Sequence, residues 1–591
     1  MNWKKIIAVL LVGGNLLGLC GCAVEDEGKT FSTQDGIVSS ENVITKQEIE
    51  ENSIHIRDKN LLYENQDNTE IVTMYLTVSS GNQAEGTDHT WEEINTYSVY
   101  DYERMGVDRY KVAGLLQVGD ENGLVPGELG YDQVSSNCTV QIRGQSSSLS
   151  TQKNYKIKLK DNKGDWRGQT TIALNKHQSE GLRFRNKMAF DMMSDIDQIM
   201  SLQTTFVHLY VKDTTKSETA AFEDYGIYTQ VEQLNKSALE RHGLDKRGHL
   251  YKVNDCEFYR YEDVIRLADD PEYNLEKFEE ILEVKGNEDH TKLIALLDEI
   301  NDYEISIEEI LEKHFDVENI AYWMAFNILV GNVDSQCRNF YLYSPQNIER
   351  WYIYPWDLDG MLQRKEYQYK GRVDYESWES GVSNYWGNVL FQRCLKSEWF
   401  REELDHAVTE LYEKFTEEYI MSYANTYANL LKPLVYSGKD LNYAPLTQTE
   451  YDDIVNHIPA EIAENYERYL DSLEKPMPFY IGMPYKTESG YTIEWDPSYD
   501  FDQEDITYTF ELATDYNFEQ PLLVKEGLLI PAIDISTLEE GQYFMRVTAK
   551  NKSGETQQAF DYYHIENGKI YGTKCFYVGG DGTVWEDVYE D

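Results

Sequence analysis

Between residues 69 and 174, apolar and polar side chains alternate along short runs, the mark of half-buried strands. Ile71–Val78 is rich in β-branched residues, while Thr139–Arg143 and Tyr155–Lys160 change character at every second position. Gly144 to Ser150, almost all small or polar, makes a turn between those two. Helical spacing takes over from Asn186 to Met200. Strands return over Thr205–Val211 and Gly226–Glu232, and the helix after them ends before Gly243. From Leu275 to Val330 the apolar positions recur at i, i+3, i+4 and i+7, with Leu293, Leu296, Leu297 and Ile300 forming one stripe. Two more strands, Phe340–Ser344 and Trp351–Pro355, precede helices that run to Leu473. Pro476 and Pro478 then punctuate the chain, and Tyr491–Trp495, Tyr508–Leu512 and Gly541–Ala549 read as short strands of a small sandwich. The pattern predicts an α+β domain over 69–474, an all-β sandwich over 475–567 and a C-terminal tail over 568–591.

The first residues read as an address. Lys4 and Lys5 precede an apolar run from Ile6 to Leu19, too short for an ordinary membrane span and suited to a secretory signal. Leu19-Cys20-Gly21-Cys22 has the spacing of a bacterial lipobox, which makes Cys22 the candidate for acylation. Residues 1–22 are therefore expected to be a lipoprotein signal peptide and 23–68 an acidic tether. That places the protein on the extracytoplasmic face of a bacterial cell membrane, held by its lipid anchor only.

With 54 Lys and Arg against 105 Asp and Glu, the net charge is −51. Such acidity excludes a nucleic-acid binder, because phosphate backbones are held by Lys and Arg. A small phosphate ligand needs only a local positive patch. Five cysteines follow the signal (Cys138, Cys256, Cys337, Cys394 and Cys575), scattered and without a CxxC pair, as expected of buried small residues.

The candidate chemistry lies between Asn327 and Asp359. A helix ends at Gly331, a polar loop carries Asp334 and, five positions on, Asn339, and two strands lead to Asp357 and Asp359. Phosphoryl transfer needs one carboxylate to take the acceptor's proton and hard oxygen ligands to hold Mg²⁺ against the phosphates. Asp334 has the first position; Asn339, Asp357 and Asp359 have the second. The same residues could instead cap a helix and close turns, or two of the acids could serve a glycosidase. From Gln133 to Lys160 no acidic residue occurs, whereas Arg143, Lys153, Lys156, Lys158 and Lys160 do. Hydroxyls and backbone N–H groups of the loop at Ser146 suit phosphate oxygens. Strand parity puts Lys153 on the face of Tyr155, Ile157 and Leu159, and Lys156 and Lys158 on the other. No Walker-type or G-x-G-x-x-G phosphate loop is present, and His177, His208 and His249 show no ligand pairing.

Arg143-Gly144-Gln145-Ser146-Ser147 and Lys153-Asn154-Tyr155-Lys156-Ile157-Lys158-Leu159 resemble the opening signature of the CotH (spore coat protein H) kinase family. The likeness continues through Arg185-Asn186-Lys187-Met188-Ala189, Gly226 to Glu232, Gly248 to Lys252, Gly331 to Asp334, Asn339 to Tyr343 and Pro355 to Asp359. The resemblance implies an atypical kinase fold and Ser/Thr phosphorylation of a protein acceptor with ATP and Mg²⁺ or Mn²⁺. It makes Asp334 the catalytic acid and Asp357 a metal ligand, with Asn339 and Asp359 beside it. Arg143, Ser146, Lys153 and Lys156 match the nucleotide region; Glu232 and Lys252 are candidate members of a lysine–acid pair. Asn154 departs from the family, many members of which carry a second Lys there. Residues 475–567, with Trp495, Tyr508 and Tyr543 in order, resemble a fibronectin type III module, usually a spacer. The rival expectation is a catalytically silent surface scaffold that binds wall polymer or partner proteins.

Overall fold

The computed structural model describes residues 55–64, 66–372, 378–566 and 568–587. The expected signal peptide, Cys22 and the tether as far as residue 54 lie outside them.

The alternating runs become strands with one buried face. In Cys138–Arg143, Cys138, Val140 and Ile142 are buried while Thr139, Gln141 and Arg143 face outward. In the paired strand Asn154–Leu159, Tyr155, Ile157 and Leu159 point in and Lys156 and Lys158 point out, as parity required. The hydrogen-bonded order is Ile71–Ser79, Thr204–Asp213, Glu223–Glu232, Thr171–Asn175, Asn154–Leu159, Cys138–Arg143, Val112–Asp120 and the short Gly123–Leu124. Ile71–Ser79 also pairs with Val112–Asp120, so seven of these strands close into a ring. Closure leaves those strands without a free edge. Met74, Leu76, Leu116, Ile142, Ile157 and Leu209 fill the interior.

A second, four-stranded sheet runs Leu282–Val284, His249–Val253, Phe340–Ser344 and Tyr352–Pro355. Tyr341 stands opposite both Lys252 and Tyr354 in the register, which places Lys252 and Tyr341 side by side. The helix Val317–Leu329 is buried all round from Asn319 onward, as its continuous apolar sequence requires, and Asp316 caps it by accepting from the Asn319 N–H. Helices Glu398–Lys414, Glu417–Val435 and Gln448–Glu474 complete this layer around one large core that includes Trp323, Phe340, Tyr385 and Phe391.

The C-terminal region is a sandwich. One sheet holds Tyr485–Lys486, Gly490–Glu494 and Ala532–Ser536; the other runs Leu523–Leu528, Thr507–Ala513, Gly541–Lys550, Thr573–Val578 and Val584–Glu586. Trp495, Phe510, Met545, Val547 and Phe576 fill the space between. Residues 568–591 do not begin as a tail: Thr573–Val578 pairs along Gly541–Arg546 and buries Phe576. With Thr573, Cys575, Phe576 and Val578 all buried, the strand does not keep period two and so does not stand out as alternation. Nor do residues 55–64 hang free. The Ile56 N–H donates to Asp316 Oδ2 at 3.0 Å, and Asp58 pairs with the buried His242 at 2.6 Å. The boundary at Pro476 marks a change of secondary structure without a gap in packing, since Met477 and Phe560 belong to the large core upstream.

All five described cysteines are buried and unbridged. Among the described residues no helix is long and apolar enough to cross a membrane.

Candidate active site

The loop bearing Asp334 begins where the buried helix stops. Gly331 adopts φ +62°, and a Cβ there would lie 2.8 Å from the Asn465 amide, so the position suits glycine. The loop is then pinned on both sides. Asn384 donates to the Val333 carbonyl at 3.0 Å, Ser335 Oγ meets the Tyr385 hydroxyl at 3.0 Å, and Asn388 donates to the Gln336 carbonyl at 2.9 Å. Between these anchors the Asp334 side chain stays 58% exposed. Asn339 closes the loop at φ +63°, a region asparagine tolerates. Its Nδ2 donates to the Asp334 carbonyl at 3.0 Å and to Asp334 Oδ2 at 2.8 Å.

Asp357 follows the strand Tyr352–Pro355 and also adopts a positive φ, +53°. Trp356 before it is buried edge-on against Tyr341 at 5.5 Å, with the Arg143 guanidinium 5.9 Å from its ring centre. The turn after it is held from three sides. The Leu358 N–H donates to Asn186 Oδ1 at 3.3 Å, the Leu362 N–H to the Val330 carbonyl at 2.8 Å, and Arg185 Nε to the Leu362 carbonyl at 3.0 Å. Arg185 is itself fully buried between Glu366 (2.6 Å) and Glu180 (3.3 Å). The Arg185-Asn186 signature thus acts by clamping the Asp357–Leu362 turn.

The acids feel one another. Burial, and then the charge of Asp359, push the Asp357 carboxyl up to about 6, against the pull of Arg143, His177 and Lys252. Burial also works to raise Asp359, but the hydrogen bond and charge of His177, 3.0 Å away, outweigh it and hold Asp359 below its usual value. Asp334 is raised, chiefly by desolvation, with Arg338 and Asn339 opposing and Asp359 and Glu379 adding to the rise. Asp334, Asp357 and Asp359 therefore share one electrostatic neighbourhood.

Cations face them. Burial lowers the affinity of Lys252 for its proton, while Glu283 and Asp357 favour its charge and Arg143 and Lys285 oppose it. Lys156 is lowered by burial and by Lys285. Arg143 and Lys252 stand near enough to Asp357 for its charge to act on them, and Lys156 and Lys285 join them in a basic wall around Glu283.

The other expected residues lie elsewhere or do other work. Lys153 is buried on the inner face and donates to the Ser148 carbonyl at 2.5 Å, propping the turn Ser146–Leu149. Ser146 is exposed on that turn. Glu232 pairs with Arg241 and, at 3.0 Å, with His242; its partners include no lysine. His177, given no role on sequence grounds, bridges Asp359 and Asn186 (3.5 Å from its Nε2). Its contact with Asp359 spans 182 positions, so no local spacing announces it.

A model described as CotH kinase protein matches residues 140–469, more than half of the chain. The chain belongs to the CotH kinase protein family. The inner spore coat protein H of Bacillus subtilis (strain 168) is 25% identical over 300 residues, which cover 50% of this chain and 77% of that protein. The crystal structure of a Helicobacter pylori proinflammatory kinase, CtkA, aligns at 12% identity over 54% of this chain and 94% of that one, with a TM-score of 0.21. HipA of Shewanella oneidensis MR-1, in its complex with HipB and operator DNA, aligns at 11% identity over 63% and 78%, with a TM-score of 0.25. Scores this low bear on nothing below. The CotH kinase match contains Arg143, Lys156, Lys252, Asp334, Asn339, Asp357 and Asp359 within its limits.

Proposed function

We propose that this CotH kinase family member transfers the γ-phosphoryl group of ATP to a Ser or Thr hydroxyl of a protein acceptor. The observation that carries the reading is the packing of the Asp357–Leu362 turn against the start of the Asp334 loop, through the Leu362 N–H bond to the Val330 carbonyl, with the Arg143 guanidinium 5.9 Å from the ring of Trp356, the residue before Asp357.

The acceptor oxygen forms a bond to the γ-phosphorus as the bond to the β–γ bridging oxygen breaks, and ADP departs. The hydroxyl proton passes to Asp334, whose exposed carboxylate, held by Asn339, is open to an acceptor. Asn339 holds the acid in place through its two hydrogen bonds. Arg143, Lys156 and Lys252 draw in the phosphates.

Among the described residues no group of three or more His, Cys, Asp or Glu is arranged as a metal cage. A cation shared with phosphate needs fewer: Mg²⁺ is commonly held by one or two carboxylates together with substrate oxygens and water. Asp357 and Asp359 fit that demand, because burial first and the charge of Asp359 second push the Asp357 carboxyl up to about 6, and a cation would relieve both. Those two acids and the Asn339 amide oxygen would hold Mg²⁺ or Mn²⁺. When bound, the ion neutralises charge on the phosphate oxygens.

At the cell, the same proposal places the chain on the extracytoplasmic face of the membrane through a lipid on Cys22.

The test is incubation of the purified protein with γ-labelled ATP and Mg²⁺ or Mn²⁺. Label is expected on Ser or Thr of the protein itself or of an added acceptor, falling at least about 10²-fold in Asp334→Asn and Asp357→Asn. Asp334→Asn should keep the nucleotide-induced rise in melting temperature. Retained labelling in both variants would refute the site, and absence of both labelling and nucleotide stabilisation in the wild type would favour a silent scaffold.

A further inference from the structure

Residues 378–388 touch two things at once. On one side stands the C-terminal sandwich. The Trp378 indole N–H donates to the Phe560 carbonyl at 3.0 Å, and its ring meets Phe560 at 5.1 Å and Tyr571 at 5.9 Å. Glu379 accepts from the Tyr571 hydroxyl at 2.5 Å and from Lys569 Nζ at 3.2 Å. Both donors sit on the hairpin Tyr562–Ile565 and Gly568–Tyr571. Trp386 stacks on Tyr499 at 5.3 Å, with the Lys396 ammonium over both rings.

On the other side stands the loop of Asp334. Asn384, Tyr385 and Asn388 supply the three anchors at Val333, Ser335 and Gln336, the residues flanking Asp334. Between the two sides the segment is tight: Gly381–Tyr385 is a turn of 3₁₀ helix buried throughout, and the Val382 N–H donates to Ser472 Oγ at 3.0 Å. Glu379 also adds its charge to those acting on Asp334.

We infer that the C-terminal sandwich is a working part of the phosphotransfer site: it positions the Asp334 loop through Trp378, Glu379 and Trp386. This rests on the proposed function for its kinetic consequence, though not for the mechanical link. A buried segment fixed at one end by the hairpin and at the other by three side-chain anchors transmits a loosening of either end. Glu379, Lys569 and Tyr571 are positioning residues; none of them touches a reacting atom. The sandwich is therefore no passive spacer.

The experiment uses the full chain with Tyr571→Phe and Lys569→Met together, which removes the two donors that the hairpin offers Glu379 while leaving the ring of Tyr571 and most of the Lys569 stem. Lys569→Arg is the conservative control. Amide hydrogen exchange over residues 331–340 should quicken about tenfold in the double variant and stay near wild type in the control. The kcat of acceptor phosphorylation should fall about tenfold, with KM for ATP within about twofold, because the nucleotide wall is untouched. Unchanged exchange in the Asp334 loop overturns the inference, whatever the activity does. Quickened exchange in a chain whose wild type transfers no phosphate upholds the link and sinks the proposed function instead.

Discussion

His242 joins two acids at the point where the N-terminal stretch meets the domain. It is fully buried, 2.6 Å from Asp58 and 3.0 Å from Glu232. Burial alone would depress its proton affinity, but the hydrogen bonds and charges of Asp58 and Glu232 raise it to about 9. An unfolded histidine titrates near 6.5. Below pH 6.5 both states carry the proton and the stabilisation is fully present. Between 6.5 and 9 the unfolded state releases its proton first, so it binds fewer protons than the folded state and stability falls as pH rises. The contribution is about 3 kcal/mol at pH 6, about 2 kcal/mol at pH 7.5 and well below about 1 kcal/mol at pH 9. Replacing the imidazole in His242→Gln removes the titration and keeps a hydrogen-bonding amide. Calorimetric melting of both proteins at these three pH values is the assay. The gap in Tm should be widest at pH 6 and narrow by a few degrees at pH 9, taking on the order of 1 °C per kcal/mol for a unit of this size. A gap independent of pH would show that the fold leaves the His242 titration where the unfolded chain has it, and one that widens toward pH 9 would show that His242 is neutral in the fold.

Three further outcomes follow from the same structure. His177→Phe deletes the donor that holds the Asp359 carboxylate, so the Mg²⁺ or Mn²⁺ concentration giving half-maximal labelling should rise ten- to a hundredfold, as loss of an outer partner to a ligand does; an unchanged metal titration would refute it. Glu366→Gln leaves the fully buried Arg185 with Glu180 at 3.3 Å as its remaining acid and should cost about 3 kcal/mol or more of stability, read as a fall in Tm, whereas an unaltered Tm would mean the clamp is energetically idle. Cys22→Ser should abolish incorporation of labelled palmitate in cells and release the protein from the membrane fraction; labelling that persists would put the modification elsewhere.

What the sequence disclosed was whatever the chain keeps local. Helix, loop and two strands follow one another without interruption from Val317 to Asp359, so the succession of Asp334, Asn339 and Asp357 could be read before any coordinates. Strand parity likewise separated Lys153, buried, from Lys156, half-buried on the opposite face. Non-local pairings left no trace. The ring closes because Ile71–Ser79 bonds to Val112–Asp120 and Thr204–Asp213, and neither run alone specifies its partner. His177 meets Asp359 from an isolated position at φ +49° that no periodicity marks. Lys285 joins the basic wall from the edge of the second sheet.

How the C-terminal region packs left no trace for the same reason, with a larger consequence. In sequence Pro476 and Pro478 mark a boundary between an α+β part and a run of short strands. In space Trp386 stacks on Tyr499, Arg401 lies 4.8 Å from the Phe501 ring, and Met477 and Phe560 enter the upstream core. Aromatic residues of one kind serve a domain interior and a domain junction equally well, because burial of large flat surface is favourable in both settings. Proline is weak punctuation here, since Pro433 and Pro459 lie inside helices, and it says nothing of where packing stops. For this chain the distinction matters chemically: the residues that close the junction, 378–388, are the same ones that grip the loop of Asp334.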